Sequence, residues 1–391
     1  VETICTWQSR RLIPLVVLVI LAAALGLGGP GCKPSEVSGP PPATPIAVPP
    51  GPAPADPPAT PQPSEPTERA ATSLAAHFID VGQGDAILLL VEPSGVAVLI
   101  DGGTRSSGQK VVQYLKAQGV EQLDLLIGTH PHEDHIGGLI AVLGAFPVKR
   151  VIDSGVPHTS KTWDDYMTGI ETQVEAGHCA YETPEGQSVK LASNVTLEVL
   201  GPEGKMDSLN NASVVCRVDF GETAFLFTGD AETAAEAKLL ASGANLKADV
   251  LKVGHHGSST STSAAFLAAV APSRAVISVG TGNTYGHPKE ITLTRLASAG
   301  VTIYRTDTAG TVVLVSDGTS ITTDAVAWAE APSEPQAKGL YVGSAKSDKY
   351  HRPTCNSVAS ISADNQVWFA SAEAAQNAGY KPCGTCKPPT K

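Results

Sequence analysis

Four side chains able to bind a metal fall within six residues at His130-Pro131-His132-Glu133-Asp134-His135. A tight loop there aims His130 and His132 at one ion, and Asp134 and His135 at a neighbour. Imidazole suits Zn, Mn or Fe, and a carboxylate hardens one of the two sites. Two such ions side by side share a hydroxide and clamp both oxygens of a displacement. A second constellation closes the chain: His351-x3-Cys355, a spacer of 27 residues, then Cys383-x2-Cys386. Two knuckles of this spacing have the form of a structural zinc site. The competing reading is a disulfide, Cys383 with Cys386 or a longer one with Cys355; zinc is favoured because it gives His351 a role.

These residues need elements to hold them. His77–Val91 reads as a strand, a Gly-rich turn and a second strand, and Val96–Ile100 as a third, ending at Asp101. Leu123–Ile127 is a buried strand that delivers the chain to His130. Further strands are expected near Val148–Ile152, Val195–Leu200, Val214–Phe220, Ala224–Phe227, Val250–Val253, Ala275–Val279, Thr302–Arg305 and Thr311–Ser316. Helices are expected over Lys110–Gly119, Ile136–Leu143, Ala231–Ser242, Ser263–Val270 and Leu293–Ala299. Such alternation, with several hairpins, predicts an α/β (α+β) protein with two mixed sheets covered by helices.

Composition narrows the class. The 391 residues are 42% hydrophobic, enough for a real core and too many for a disordered chain. The net charge of −11 argues against binding nucleic acid through global charge. Lys338–Lys391 alone carries seven Lys or Arg against three acids, a net +4 that leaves −15 for the rest. Arg10 and Arg11 precede an uncharged apolar run, Leu12–Gly29, and Cys32 follows. Residues 1–32 are therefore expected to be a signal peptide or a membrane or lipoprotein anchor, which places the remainder outside the cytoplasm. Residues 33–74 are expected to be a Pro-rich disordered linker, since Pro30–Pro66 holds 15 of the 30 prolines. The folded parts are then 75–328 and 338–391. The only membrane contact expected is through the N-terminal anchor, and no protein partner is readable.

HPHEDHIGG resembles the HxHxDH signature of the metallo-β-lactamase superfamily, whose fold is a four-layer αββα sandwich. The similarity continues in order through Phe227-Thr228-Gly229-Asp230, Lys252-Val253-Gly254-His255-His256-Gly257-Ser258, Tyr285-Gly286-His287-Pro288 and Thr306–Gly310. With Ile79–Ala86, these stretches resemble the extracellular hydrolase domain of competence DNA-uptake channel proteins and their free-standing secreted relatives. The resemblance implies two divalent ions, Zn or Mn. His130, His132 and Asp230 would hold the first; Asp134, His135, Asp230 and one of His255 and His256 would hold the second. It also exposes a departure. The superfamily commonly supplies another His to the first metal, and the segment expected to provide it, Ser208–Ser213, has none. YHRPTC and AGYKPCGTCKP resemble the zinc-binding domain of the Ada repair protein. There the first ligand is a methyl-accepting Cys; here it is His351, which cannot serve as a thiolate acceptor.

The implied function is an exported metal-dependent phosphodiesterase or nuclease that acts on DNA or another phosphodiester through a dinuclear metal-activated hydroxide, with one structural zinc in the C-terminal module. The alternatives are a metallo-hydrolase of small esters, such as phosphorylcholine esters or lactones, and a non-catalytic surface DNA-binding protein. Asp134 or the bridging hydroxide is expected to start the attack, with His287 as the acid or as a phosphate ligand. Asn211 and Ser213 are expected to bind substrate. Asp80 and Asp101 are candidates to orient metal-bound His side chains. Gly82, Gly84, Gly102 and Gly103 are expected to serve tight turns. Lys252 is expected to be a solvated strand-end residue, and His158 and His178 surface residues. Cys179 and Cys216 are expected to be either buried thiols or a disulfide.

Overall fold

The computed structural model describes residues 70–390, apart from 178, 203, 205, 329–338, 363 and 364. The expected signal or anchor and nearly all of the expected linker lie outside the described residues, as does His178. Among the described residues, no helix is long and apolar enough to cross a membrane.

The first half of the chain forms β1 (Ser73–Phe78), β2 (Ile87–Glu92), β3 (Val96–Ile100), α1 (Gly108–Ala117), β4 (Leu125–Gly128), α2 (Glu133–Ile136), α3 (Leu139–Leu143), β5 (Arg150–Asp153), α4 (Lys161–Glu175) and β6 (Ala180–Glu182). The second half forms β7 (Ser188–Ala192), β8 (Val195–Gly201), β9 (Val215–Phe220), β10 (Thr223–Phe227), α5 (Thr233–Ser242), β11 (Val250–Lys252), α6 (Ala264–Val270), β12 (Arg274–Ile277), α7 (Glu290–Ser298), β13 (Thr302–Arg305), α8 (Thr306–Ala309), β14 (Val312–Ser316) and β15 (Ile321–Thr322).

Eight strands make one sheet, in the order β15-β14-β1-β2-β3-β4-β5-β6, and seven make another, β13-β12-β11-β10-β9-β8-β7. Phe78, Leu89 and Ile127 from the first meet Phe220, Phe225 and Phe227 from the second in one apolar layer. Each fully buried side chain of this size contributes roughly 1.5–3 kcal/mol. Val111 and Leu115 of α1, Val142 of α3 and Ile170 of α4 cover the outer face of the first sheet. Leu239 of α5, Phe266 of α6 and Leu296 of α7 cover the second. The result is the four-layer αββα sandwich. Strand β14 belongs to the second half of the chain but pairs with β1 over Leu74–Phe78, tying the halves together.

The elements differ from expectation in several places: β6, β7, β15 and α8 are not among the expected elements, and two helical regions differ in kind. The helix expected over Ile136–Leu143 is two short helices, α2 and α3, because Gly137 and Gly138 interrupt it. A Cβ on Gly138 would overlap the Gly102 carbonyl, so only glycine lets this loop press against the end of β3. The contact is fixed by Gly102 N–H donating to His135 O at 2.8 Å and Gly138 N–H to Gly103 O at 2.9 Å. Helix α4 is not among the expected helices, although Tyr166 and Ile170 are buried on one face with Trp163 and Met167 packed beside them at helical spacing. Its start is marked by Ser160, whose hydroxyl accepts from Trp163 N–H at 3.2 Å.

The C-terminal module is a four-stranded sheet of β16 (Tyr341–Ser344), β17 (Lys349–His351), β18 (Gln366–Phe369) and β19 (Lys381–Pro382), with α9 (Ala372–Asn377). Among the described residues its apolar cluster contains three buried residues, Tyr350, Phe369 and Ala375, with Tyr341 and Tyr380 packed against them. So small a core needs a staple. Gly138→Ala should lower stability by about 1–3 kcal/mol through overpacking, read as a shift in the urea midpoint. An unchanged midpoint would show that the two loops separate freely.

Candidate metal centre

The ligand loop hangs from the end of β4. Asp101, at the end of β3, accepts from Thr129 N–H at 2.8 Å and from Thr129 Oγ1 at 2.7 Å. Its Oδ2 also lies 2.8 Å from His135 Nδ1. One buried carboxylate thus sets both the loop and the orientation of His135, leaving Nε2 to face inward. Asp80 has no such part: it pairs with Lys110 at 3.2 Å and accepts from Gly82 N–H at 3.0 Å, closing its own turn. Gly84 allows the turn before Asp85 to sit on the loop, since a Cβ there would overlap Asp134 O.

Asp230 occupies the centre. It follows β10 through Thr228-Gly229, and its N–H donates to Ser213 Oγ at 3.0 Å. Its Oδ1 lies 3.3 Å from His135 Nε2 and 3.5 Å from His256 Nε2. Its Oδ2 lies 3.8 Å from His130 Nε2 and 3.8 Å from His255 Nε2. His130 Nε2 and His132 Nδ1 converge at 2.9 Å. Asp134 Oδ2 is 3.4 Å from His256 Nε2. Two ligand sets therefore adjoin Asp230: His130 with His132, and Asp134 with His135 and His256. Ligand atoms within 4.8 Å of one another group His130, His135 and Asp230; Asp134, His135 and His256; Asp85, Asp230 and His256; and Asp85, Asp101 and His135.

The donor atoms fit a metal. His135 Nε2, His256 Nε2 and Asp230 Oδ1 are buried polar atoms without a hydrogen-bond partner, and they face one another. Burial opposes a proton on His135, but the Asp230 and Asp101 carboxylates outweigh it and lift the imidazole well above its ordinary value. Burial likewise opposes a charged His256, and Asp230, Asp134 and Asp85 push it up to about 10. Asp230 resists burial with help from His256 and His135 and stays far below the usual carboxylate range. The cluster attracts positive charge, which divalent ions satisfy.

The adjacent histidines lie in a turn, not on a strand end. His255 (φ 49°, ψ 48°) and His256 (φ 52°, ψ 28°) are both left-handed. His256 Nδ1 is 2.9 Å from Ser278 O and 3.4 Å from Asp85 Oδ1. Lys252 is a correction: it is fully buried, with Nζ 2.7 Å from Asp85 Oδ2 and donating to Val253 O at 2.9 Å. It lies on β11, between β10 and β12, where no strand edge is open to solvent. The Lys252–Asp85 pair backs His256.

Asn211 and Ser213, expected to bind substrate, have these contacts within the protein. Asn211 Oδ1 accepts from Glu232 N–H and Ala235 N–H, both at 3.1 Å, and its Nδ2 donates to Asp207 Oδ1 at 2.8 Å, so its amide anchors the start of α5. Ser213 is buried, accepting from Asp230 N–H with its hydroxyl 3.3 Å from His130 Nδ1. Ser213 thus holds two ligands in place, and Asn211 holds the start of α5. His287 does line the cleft, beside His132, Asp134, Asp230 and Tyr285. Burial, then the nearby His255, His256 and Lys289, lower its pKa to about 4. The neutral imidazole is favoured, and it keeps one ring N–H to donate. Tyr285, 63% exposed and stacked on His287 with centroids 5.9 Å apart, is a rim residue that its motif placed but whose exposure the sequence did not show. His158 is partly buried, its Nδ1 2.9 Å from Ser160 Oγ.

In the C-terminal module the ligand atoms of His351, Cys355, Cys383 and Cys386 lie within 4.8 Å of one another. All three cysteines are free thiols, as are Cys179 and Cys216, so the disulfide readings do not hold. The N–H of Cys386, then that of Thr385, favours the Cys383 thiolate despite burial and brings its pKa down to about 7. A thiolate at neutral pH suits zinc.

Two outcomes follow from this geometry. Lys252→Met leaves the buried Asp85 charge without its 2.7 Å lysine partner, so it should cost roughly 3–5 kcal/mol in urea unfolding. A cost under about 1 kcal/mol would show that solvent reaches the pair. Cys383→Ser should remove one zinc per chain by elemental analysis; retention of that zinc would place it elsewhere.

Residues 79–281 match the Metallo-beta-lactamase superfamily, and residues 329–389 match the metal binding domain of Ada. The chain is 36% identical over 252 residues to ComE operon protein 3 of Bacillus subtilis, an alignment covering 60% of this chain and 32% of that protein. It is 38% identical over 234 residues to Competence protein ComA of Neisseria gonorrhoeae, covering 59% and 30%. It is 32% identical over 228 residues to Recombination protein 2 of Haemophilus influenzae, covering 56% and 26%. The chain thus spans about a third or less of the length of these relatives. With the fold, the ligand loop and the Asp230-centred cluster in agreement, the chain belongs to the metallo-beta-lactamase superfamily.

Proposed function

We propose that this protein is an exported metal-dependent phosphodiesterase that cleaves DNA. The observation that carries the reading is the Asp230 carboxylate, with ligand sets beside both oxygens, opening into a cleft of about 470 Å³. His130, His132 and Asp230 would hold one divalent ion, and Asp134, His135, His256 and Asp230 a second. Such a pair supplies an activated water near neutral pH and neutralises charge on a phosphoryl group.

The chain's own groups complete the site. Burial resists the Asp134 charge, but His256 and His135 hold it far below the usual carboxylate range, so it is ionised and able to orient a water. His287 offers a neutral imidazole: its backbone is pinned by Asn283 at 2.7 Å and 3.0 Å, and its buried Nδ1 has no partner. It is suited to hydrogen-bonding a phosphoryl oxygen. The exposed ring of Tyr285 gives a base a stacking surface at the rim, worth about 1–3 kcal/mol per base. Relatives named for competence and recombination support a nucleic-acid substrate. Arg10, Arg11 and the apolar run Leu12–Gly29 support export. The C-terminal module, with its net +4 from Lys338 to Lys391, would add a zinc-stapled surface for the phosphate backbone.

The test is incubation of the purified chain with single- and double-stranded DNA, with Mn or Zn added or chelated. Cleavage should require metal and fall at least about 100-fold in His132→Ala and Asp230→Asn, beyond the loss typical of outer-shell partners. Tyr285→Ala should raise KM for DNA roughly tenfold while leaving hydrolysis of a small chromogenic diester nearly unchanged. Hydrolysis of the small diester with DNA left intact would replace the nuclease reading with a small-ester one.

A further inference from the structure

We propose that His255 is a ligand of the first metal, filling the place of the histidine that the 208–213 segment lacks. The inference rests on the two-metal reading above and assigns each of the adjacent histidines to a different ion. Asp230 is shared evenly: Oδ1 faces His135 and His256 at 3.3 Å and 3.5 Å, and Oδ2 faces His130 and His255 at 3.8 Å each. The second oxygen would otherwise serve a set with one protein ligand fewer.

His255 is also oriented as a ligand. Its Nδ1 is 3.3 Å from Glu232 Oε1, and that carboxylate accepts from Thr260 Oγ1 at 2.6 Å. This leaves Nε2 to face Asp230, as Asp101 does for His135 and Ser278 O does for His256. The backbone agrees. Left-handed φ at a non-glycine residue is strained, and here two consecutive residues adopt it. The turn brings both Nε2 atoms to Asp230, which an extended chain with alternating side chains would not do. The segment without a histidine still contributes: Asn210 Nδ2 lies 3.5 Å from His255 Nδ1, and Ser213 supports His130 and Asp230. It has become the frame of the site instead of a donor to it. The rival role for His255 is to face substrate, since its side chain is 24% exposed and its ring centroid is 5.4 Å from that of His287.

Mn titration of the chelated full chain separates the two, read by electron paramagnetic resonance and bound-metal analysis. Mn does not compete for the thiolate-rich C-terminal site. The wild type should bind two Mn with a spin-coupled spectrum. His255→Ala should bind one uncoupled Mn, with the second-site ligands intact. Glu232→Gln keeps the imidazole and should weaken one of the two Mn by roughly 10–100-fold, sparing the other; it decides the matter if His255→Ala does not fold. Two coupled Mn of unchanged affinity in both variants would overturn the assignment and make His255 a substrate-facing residue. Fewer than two Mn in the wild type would instead overturn the two-metal reading on which the assignment depends.

Discussion

A buried carboxylate without a permanent cation beside it governs this structure. Asp230 is almost fully enclosed, and Asp85, Asp101 and Asp134 lie in the same cluster. Removing an ionised carboxylate from water costs several kcal/mol unless nearby charge repays it. Lys252 repays Asp85, at 2.7 Å, and no one else. Asp230 has only imidazoles to turn to, and these are neutral at pH 7 unless the carboxylates themselves raise their pKa. The elevated values of His135 and His256 are that compensation in proton form. Divalent ions held by this cluster would give the same compensation with directed bonds and release the protons.

The sandwich exists, in this view, to bring carbonyl ends of strands from two sheets to one edge. His130–His135 follow β4 in the first sheet; Asp230 follows β10 and His255–His256 follow β11 in the second. Neither sheet alone has the full set. Their relative position is fixed by the apolar layer between them, where Phe78 and Phe227 pack with centroids 6.1 Å apart. It is fixed again by β14, which crosses from the second half to pair with β1. A close-packed layer of this kind transmits small shifts, so ligand distances of 3–4 Å depend on side chains far from the metals.

What could be read from sequence was what lies close together in the chain. The HPHEDH loop, the Asp230 turn and the Cys383–Cys386 knuckle are contiguous motifs with spacings that only a few chemistries use. Most strands were legible because they are rich in Val, Leu and Ile; the short β6, β7 and β15 were not. Lys252 was not: a lysine at a strand end is ordinarily solvated, and its burial depends on Asp85, 167 positions earlier, arriving from the other sheet. Asn211 and Ser213 had suitable chemistry for substrate, yet their polar atoms are consumed by backbone N–H groups of α5 and Asp230. The directions of His255 and His256 were illegible for a different reason. Alternation along a strand was the natural assumption, and a pair of left-handed residues has no signature in side-chain type.

That left-handed pair also bears on why the site is built as it is. Glycine would adopt the turn without strain, and Gly254 and Gly257 flank it, but neither could bind a metal or meet Glu232 and Ser278. The chain accepts strain at two residues to place two imidazoles where regular backbone would place one. The strain is held by contacts on the side away from the metals: Glu232 through Thr260, Ser278 O at the end of β12, and Asp85 locked by Lys252. Each is buried or half-buried, so none yields readily to solvent. The orienting shell therefore serves two purposes at once. It fixes which nitrogen of each ring faces Asp230, and it keeps a strained turn from relaxing when the site is being filled.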